Sequence, residues 1–227
     1  MKHRTGPTRL GREVLHMMNA KRAALALAST LGLVTLTAAP ASASPAIPDG
    51  VSIEVVLVHG SGCLKETSSV VISEDRTAFT VNYSKYLVYT GGEAPPIASR
   101  NNCLIMLGVH APADYTYGIR GADHSGFAGL QDGASGQVRT SYFFQGMQTD
   151  HVSSHQLKGP YLGHWVLTDR FPHPMVNYKP CGEERYLALN TELRVNPGSS
   201  DSDRMSFLSM GSTHSSARYD FAWKRCP

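Results

Sequence analysis

Short runs in which polar and apolar residues alternate recur through most of this chain, and that period of two dictates strands. Val51, Ile53, Val55 and Leu57 alternate with Ser52 and Glu54; Phe79, Val81 and Tyr83 with Thr80 and Asn82; Val138, Thr140, Tyr142 and Phe144 with Arg139, Ser141 and Gln145. Leu187, Leu189, Leu193 and Val195 alternate with Ala188, Asn190, Glu192 and Arg194, and Tyr219, Phe221 and Trp223 with Arg218, Asp220 and Lys224. Successive side chains of a strand face opposite ways, so each run has one buried and one solvated face. Leu104-Ile105-Met106-Leu107 is continuously apolar and fits a strand buried on both faces. Gly60-Ser61-Gly62, Gly91-Gly92, Asp132-Gly133 and Asn196-Pro197-Gly198 mark turns between the runs. Beyond residue 43 no window sustains apolar residues at helical spacing. Half-buried strands must cover their apolar faces with one another. The expectation is an all-β, antiparallel β-sandwich of jelly-roll type, formed by residues 44–227 as one domain. No repeat of solenoid or propeller period is visible.

The first 43 residues read differently. Lys21-Arg22 precede an apolar stretch, Ala23 to Thr37, followed by Pro40 and the small residues Ala41-Ser42-Ala43. A basic end, a short apolar core and an A-x-A site make a secretory signal peptide cut after Ala43. The stretch is shorter than the 20 or so residues needed to span a bilayer. No membrane association is expected after cleavage, and the expected address is extracellular. The basic region is unusually long, so translation is expected to start at Met17 or Met18. Of 21 basic and 18 acidic residues, the first 43 hold six and one, leaving 15 and 17 in the exported part. That balance carries no basic footprint for nucleic acid. With 41% apolar and 17% charged residues the chain is that of a folded globular protein.

All four cysteines, Cys63, Cys103, Cys181 and Cys226, lie in the exported part. An even count in an oxidising compartment reads as two disulfides, and zinc-type C-x-x-C spacing is missing. Three connectivities are possible. Cys63–Cys103 with Cys181–Cys226 is preferred, because Cys181 precedes one strand-like run and Cys226 ends another, as antiparallel neighbours would place them.

Candidate chemistry is sparse. Val55-Val56-Leu57-Val58-His59-Gly60-Ser61-Gly62 looks like the oxyanion-loop strand of α/β hydrolases, but no G-x-S-x-G elbow exists. Gly133-Ala134-Ser135-Gly136-Gln137 comes nearest and lacks the last glycine. His151 and His155 have the i, i+4 spacing of a helical metal pair without its glutamate, and His164 or Asp150 could complete a site in space; loop histidines are the plainer reading. Asp201-Ser202-Asp203 lacks the calcium-loop pattern and reads as a turn. Asp123-His124 lies in a glycine-rich stretch that reads as a polar loop able to supply an acid or base. Asn190, Glu192 and Arg194 share the polar face of one strand, which is either a binding face or a solvated face with a cross-strand ion pair. Ten tyrosines, all in the exported part, suit sugar or peptide binding as well as an ordinary core margin. Asn82-Tyr83-Ser84 is an N-glycosylation sequon.

Several stretches resemble a family of small secreted proteins of bacteria and filamentous fungi, domain of unknown function 4360. They are Gly60-Ser61-Gly62-Cys63, Ala78-Phe79-Thr80-Val81 with Tyr83-Ser84, Arg100-Asn101-Asn102-Cys103, Tyr115-Thr116-Tyr117, Gly126-Phe127-Ala128 and Tyr142-Phe143-Phe144-Gln145-Gly146. Gly159-Pro160-Tyr161, Cys181-Gly182, Asn190-Thr191-Glu192-Leu193-Arg194-Val195 and Ala222-Trp223-Lys224-Arg225-Cys226 complete the match. The resemblance implies export, paired cysteines and a β-rich domain, and brings no catalytic or ligand residues. From the residues, the first functional reading is a non-enzymatic, monomeric extracellular binding module for carbohydrate or a cell-wall polymer, with no cofactor and with Asp123, Asn190, Glu192 and Arg194 as candidate ligand-binding residues. The alternative is a secreted hydrolase using carboxylates or a metal, with Asp123, Glu192 or the His151/His155 pair as its working groups.

Overall fold

The computed structural model describes residues 47–148, 151–211 and 216–227. The expected signal segment and Asp150 lie outside these residues. Twelve strands are present among them: β1 (Ser52–His59), β2 (Ser68–Ile72), β3 (Ala78–Tyr83), β4 (Leu87–Thr90), β5 (Arg100–His110) and β6 (Tyr115–Leu130). The second half holds β7 (Ser135–Phe144), β8 (His151–Lys158), β9 (Tyr161–Arg170), β10 (Leu187–Asn196), β11 (Ser206–Ser209) and β12 (Ser216–Arg225). One sheet has the order β1-β5-β10-β7-β8; the other runs β2-β3-β12-β6-β11-β4, with β9 also paired to β6. Every pairing is antiparallel. The protein is a β-sandwich, as the alternation predicts. Among the described residues no helix is long and apolar enough to cross a membrane.

The inward half of the runs on β3, β7, β10 and β12 forms the core, but the first run departs from expectation: a register shift between Val55 and Leu57 on edge strand β1 leaves Val55, Val56 and Leu57 exposed. Ile105, Leu107, Val138, Phe144, Leu189 and Leu193 come from the five-stranded sheet; Phe79, Val81, Tyr117, Tyr219 and Phe221 come from the other. Aromatic contacts tie the layers together: Tyr117 meets Phe144 edge-on at 5.3 Å between the sheets, and Phe79 stacks on Tyr219 at 5.1 Å within one. Such pairs add about 0.5–1.5 kcal/mol each beyond area burial. The Leu104–Leu107 run departs from expectation. Ile105 and Leu107 are buried, whereas Leu104 and Met106 are half-buried, because among the described residues no second layer covers the outer face of their sheet.

Cys63 is bonded to Cys103 and Cys181 to Cys226, with Cα–Cα separations of 5.4 and 5.8 Å. The strand-neighbour argument for the second pair does not hold. Strand β10 lies in one sheet, between β5 and β7, and β12 in the other. Cys181 instead sits in the long β9–β10 connection, which runs along the start of β6: Lys179 N–H donates to Tyr117 O at 2.9 Å and Tyr178 bridges Gly118. Cys226 leaves β12 beside the same segment, its N–H donating to Asp114 O at 2.9 Å.

The other disulfide is placed by the Gly60–Cys63 turn. Tyr86 is 1% exposed and its hydroxyl donates to Thr191 O at 2.8 Å, which reaches the middle of β10. Its ring lies where a side chain of Gly62 would be: a Cβ there would stand 2.1 Å from Tyr86 Cε2. Gly62→Ala is expected to lower stability by about 1–3 kcal/mol by overpacking, read as a reduced urea midpoint with an unchanged slope. An unchanged midpoint would show that the ring moves aside freely.

Candidate functional site

On β10, Leu189, Thr191, Leu193 and Val195 point into the core, which leaves Asn190, Glu192 and Arg194 outward on the five-stranded sheet. Antiparallel register sets neighbours beside them. Asn102 of β5 and Arg139 of β7 flank Glu192, with Ser154 of β8 next in that row; Arg100 and Gln137 flank Arg194; Ser141 stands beside Asn190. Four strands thus contribute to a polar field, bordered on the same face by half-buried Phe143 of β7 and exposed Val152 of β8. Arg100, Asn102, Arg139, Ser141, Asn190 and Glu192 line a basin of about 530 Å³ open to solvent.

The charges in this field are unequal. Arg100 Nε donates to Glu192 Oε2 at 2.8 Å and Arg194 Nη2 to Oε1 at 3.2 Å, so the single carboxylate, 17% exposed, is held by two guanidiniums. Exposed pairs of this kind contribute only about 0–1 kcal/mol each. Arg139, directly across the ladder from Glu192, makes no hydrogen bond or ion pair with a described residue, and neither do the side chains of Asn190 and Ser141. The basin therefore presents free N–H and O–H donors and an excess of positive charge.

Asp123 stands apart from this group. It lies on β6, on the outer face of the other sheet, where Arg170 Nη2 donates to both carboxylate oxygens at 2.9 and 2.7 Å and Thr168 Oγ1 donates at 2.7 Å. The hydrogen bonds from Arg170 hold its carboxyl below the usual range. An acid so fully engaged is a poor proton acceptor, and it does not pair with Glu192 across the sandwich. The four residues grouped by sequence thus fall on two faces.

The two histidines are also separated. Both lie on β8, not in a loop. His151 Nε2 is 2.8 Å from Met175 O and its ring stacks on Phe171 at 4.2 Å. His155 Nε2–H donates to Asp169 Oδ1 at 2.9 Å. Among the described residues no three His, Cys, Asp or Glu side chains gather closely enough to hold a metal ion. His164 lies on β9 with its ring against Phe127. Asp201 forms a turn, accepting from Asp203 N–H at 3.0 Å.

A buried polar cluster was not legible in advance. His124 lies within β6 and is fully buried, with neither ring nitrogen hydrogen-bonded to a described residue. Burial pushes its pKa down to about 4, so the ring is neutral near pH 7. Asp169, 8% exposed on edge strand β9, bonds His155 on edge strand β8 of the opposite sheet and lies 3.5 Å from Thr140 Oγ1. This hydrogen bond joins the two sheets at one edge of the sandwich. The missed signal is the alternation of Ala122, His124, Ala128 and Leu130 around interspersed glycines.

Fold and surface together define a disulfide-bonded, antiparallel β-sandwich whose five-stranded sheet carries a polar basin on its outer face. The chain belongs to the family Domain of unknown function (DUF4360), whose model matches residues 49–226. It is 30% identical over 148 residues to a protein of Arthroderma benhamiae (strain ATCC MYA-4681 / CBS 112371) named "Uncharacterized secreted protein". The match covers 65% of this chain and 60% of that relative, so the chain spans less than two thirds of the relative's length. Among solved structures, the enzymatically active domain of bacteriophage CBA120 tailspike protein 4 aligns at 11% identity with a TM-score of 0.26, over 75% of this chain and 19% of that one. That likeness is too slight to bear on fold or function.

Proposed function

We propose that this is an extracellular binding module that holds an acidic carbohydrate polymer on the outer face of the five-stranded sheet. The observation that carries the reading is the imbalance around the basin: Arg100, Arg139 and Arg194 surround one carboxylate, and Arg139 has no partner among the described residues. Guanidinium groups match carboxylate, sulfate and phosphate oxygens in two-pronged geometry. Asn102, Ser141 and Asn190 supply donors and acceptors for hydroxyl groups beside them. The secreted name of the fungal relative and the paired cysteines support an extracellular setting.

The test is titration calorimetry with polygalacturonate and with a neutral glucan. The acidic polymer is expected to bind and to weaken as salt rises from about 0.1 M to about 0.5 M, since screening acts on exposed charges. Arg139→Ala is expected to cost about tenfold in affinity, in line with one charged hydrogen bond, without a change in melting temperature. Equal affinity for both polymers, or an unaffected Arg139→Ala variant, would overturn the reading.

A further inference from the structure

The opposite sheet carries a surface of different chemistry. On its outer face β11 lies between β4 and β6, and β9 continues the sheet beyond β6. Gly129 of β6 stands across from Phe207 of β11, and a Cβ at Gly129 would stand 2.5 Å from Phe207 Cε1. The glycine thus lets the Phe207 ring lie across β6. Phe127, two residues back on the same face, holds its ring within 20° of parallel to Phe207 at 6.1 Å between centroids, and His164 of β9 braces it edge-on at 5.0 Å. Leu162, 80% exposed, extends the apolar floor along β9, and Met205 extends it on the other side.

This floor is rimmed by polar groups. The β6–β7 turn brings Gln131 and Asp132, and the segment before β11 brings Arg204. Together with Pro160 and Tyr161 they enclose an open trough of about 560 Å³, within the size range of ligand sites. The Asp132 carboxylate and Arg204 guanidinium have no side-chain partner among the described residues. The Phe207 ring and the side chains of Leu162 and Met205 under a charged, hydrogen-bonding rim fit a ligand with one apolar face and a hydroxyl-bearing edge.

We infer that this trough is a second carbohydrate site, for an uncharged pyranose chain, separate from the arginine-bearing face. The C–H face of a pyranose carries partial positive charge and rests on the electron-rich ring of Phe207, beside the apolar side chains of Leu162 and Met205. Its equatorial hydroxyls accept from Arg204 and donate to Asp132. With one site on each sheet, a single molecule links an acidic polymer to a neutral one.

The probes are cellohexaose and chitohexaose, titrated by calorimetry and by NMR line broadening of the sugar protons. At least one is expected to bind the full chain. Leu162→Glu is expected to weaken that binding by about tenfold or more, because the sugar's apolar face would meet a carboxylate. Leu162 is exposed, so melting temperature is expected to stay constant. Asp132→Ala with Arg204→Ala is expected to weaken binding as well, whereas Arg139→Ala leaves it intact. Failure of both sugars to bind, binding that survives Leu162→Glu, or binding abolished by Arg139→Ala would each overturn the inference. So would sedimentation showing a dimer that Leu162→Glu dissolves, since the face would then be a contact between copies.

Discussion

Reduction of the disulfides is expected to lower the melting temperature by roughly 8–16 °C for each bond lost. Cys63–Cys103 and Cys181–Cys226 close loops with separations of 40 and 45 residues, and loops of that length are worth about 4 kcal/mol each in the chain-entropy model. Total stability for a domain is about 5–15 kcal/mol, so losing both removes most of it. The two bonds act on different parts of the sandwich. Cys63–Cys103 ties the turn after β1 to β5, beside the buried Tyr86. Cys181–Cys226 ties the β9–β10 connection to the end of β12. A double replacement, Cys181→Ser with Cys226→Ser, isolates the second bond, and calorimetric melting with and without reductant reads both. A melting temperature within about 2 °C of the oxidised protein would show that sheet packing alone holds the chain.

Acid is expected to destabilise the protein through His124. Its folded pKa is about 4, against an ordinary 6.5. Above pH 6.5 the ring is neutral in both states and its contribution is complete. Below pH 6.5 the unfolded chain takes up a proton that the folded chain refuses, and stability falls until about pH 4. The span amounts to about 3 kcal/mol. Desolvation is the leading cause, and Asp169, His155 and Asp123 act on the ring electrostatically. Tyr219 packs against it edge-on at 5.6 Å and offers no hydrogen bond to either nitrogen. Urea unfolding at pH 7, 5.5 and 4.5 reads the slope, and His124→Leu is expected to flatten it. A flat profile in the parent, or the same slope in the variant, would rule out His124 as its source.

How much could be read in advance follows from what each strand packs against. Strands β3, β7, β10 and β12 show their period of two because one face meets the core and the other meets water, whereas β1, at the sheet edge, breaks its period at the register shift between Val55 and Leu57. Strand β6 hides its period, although it is the longest at 16 residues. Gly118, Gly121, Gly126 and Gly129 occupy positions where a Cβ would collide with Asn177 O, Asp169 O, Ser209 O and the Phe207 ring. Glycines that serve close approach look like loop residues in a linear string, which is why Asp123-His124 read as a loop. Strands β2, β4, β8, β9 and β11 carry too few contrasting residues for a pattern to stand out. The outward set Asn190, Glu192 and Arg194 was legible because parity along a strand is local. Its partners Arg100 and Arg139 were not, since they arrive from strands 92 and 53 residues away from Glu192 in number.

Alternation of side-chain polarity, the turn glycines and an even cysteine count by themselves determined a two-layered, cross-linked sheet protein, because strand faces and chain reversals obey rules that act over a few residues. Tertiary structure alone decided which strands became neighbours. It thereby placed Asp123 on the face opposite Glu192, buried His124, gave Cys181 to Cys226 through a connecting segment, and laid Phe207 over Gly129. Those outcomes depend on sheet order and register, which are set by how whole faces pack and not by any stretch of sequence read alone.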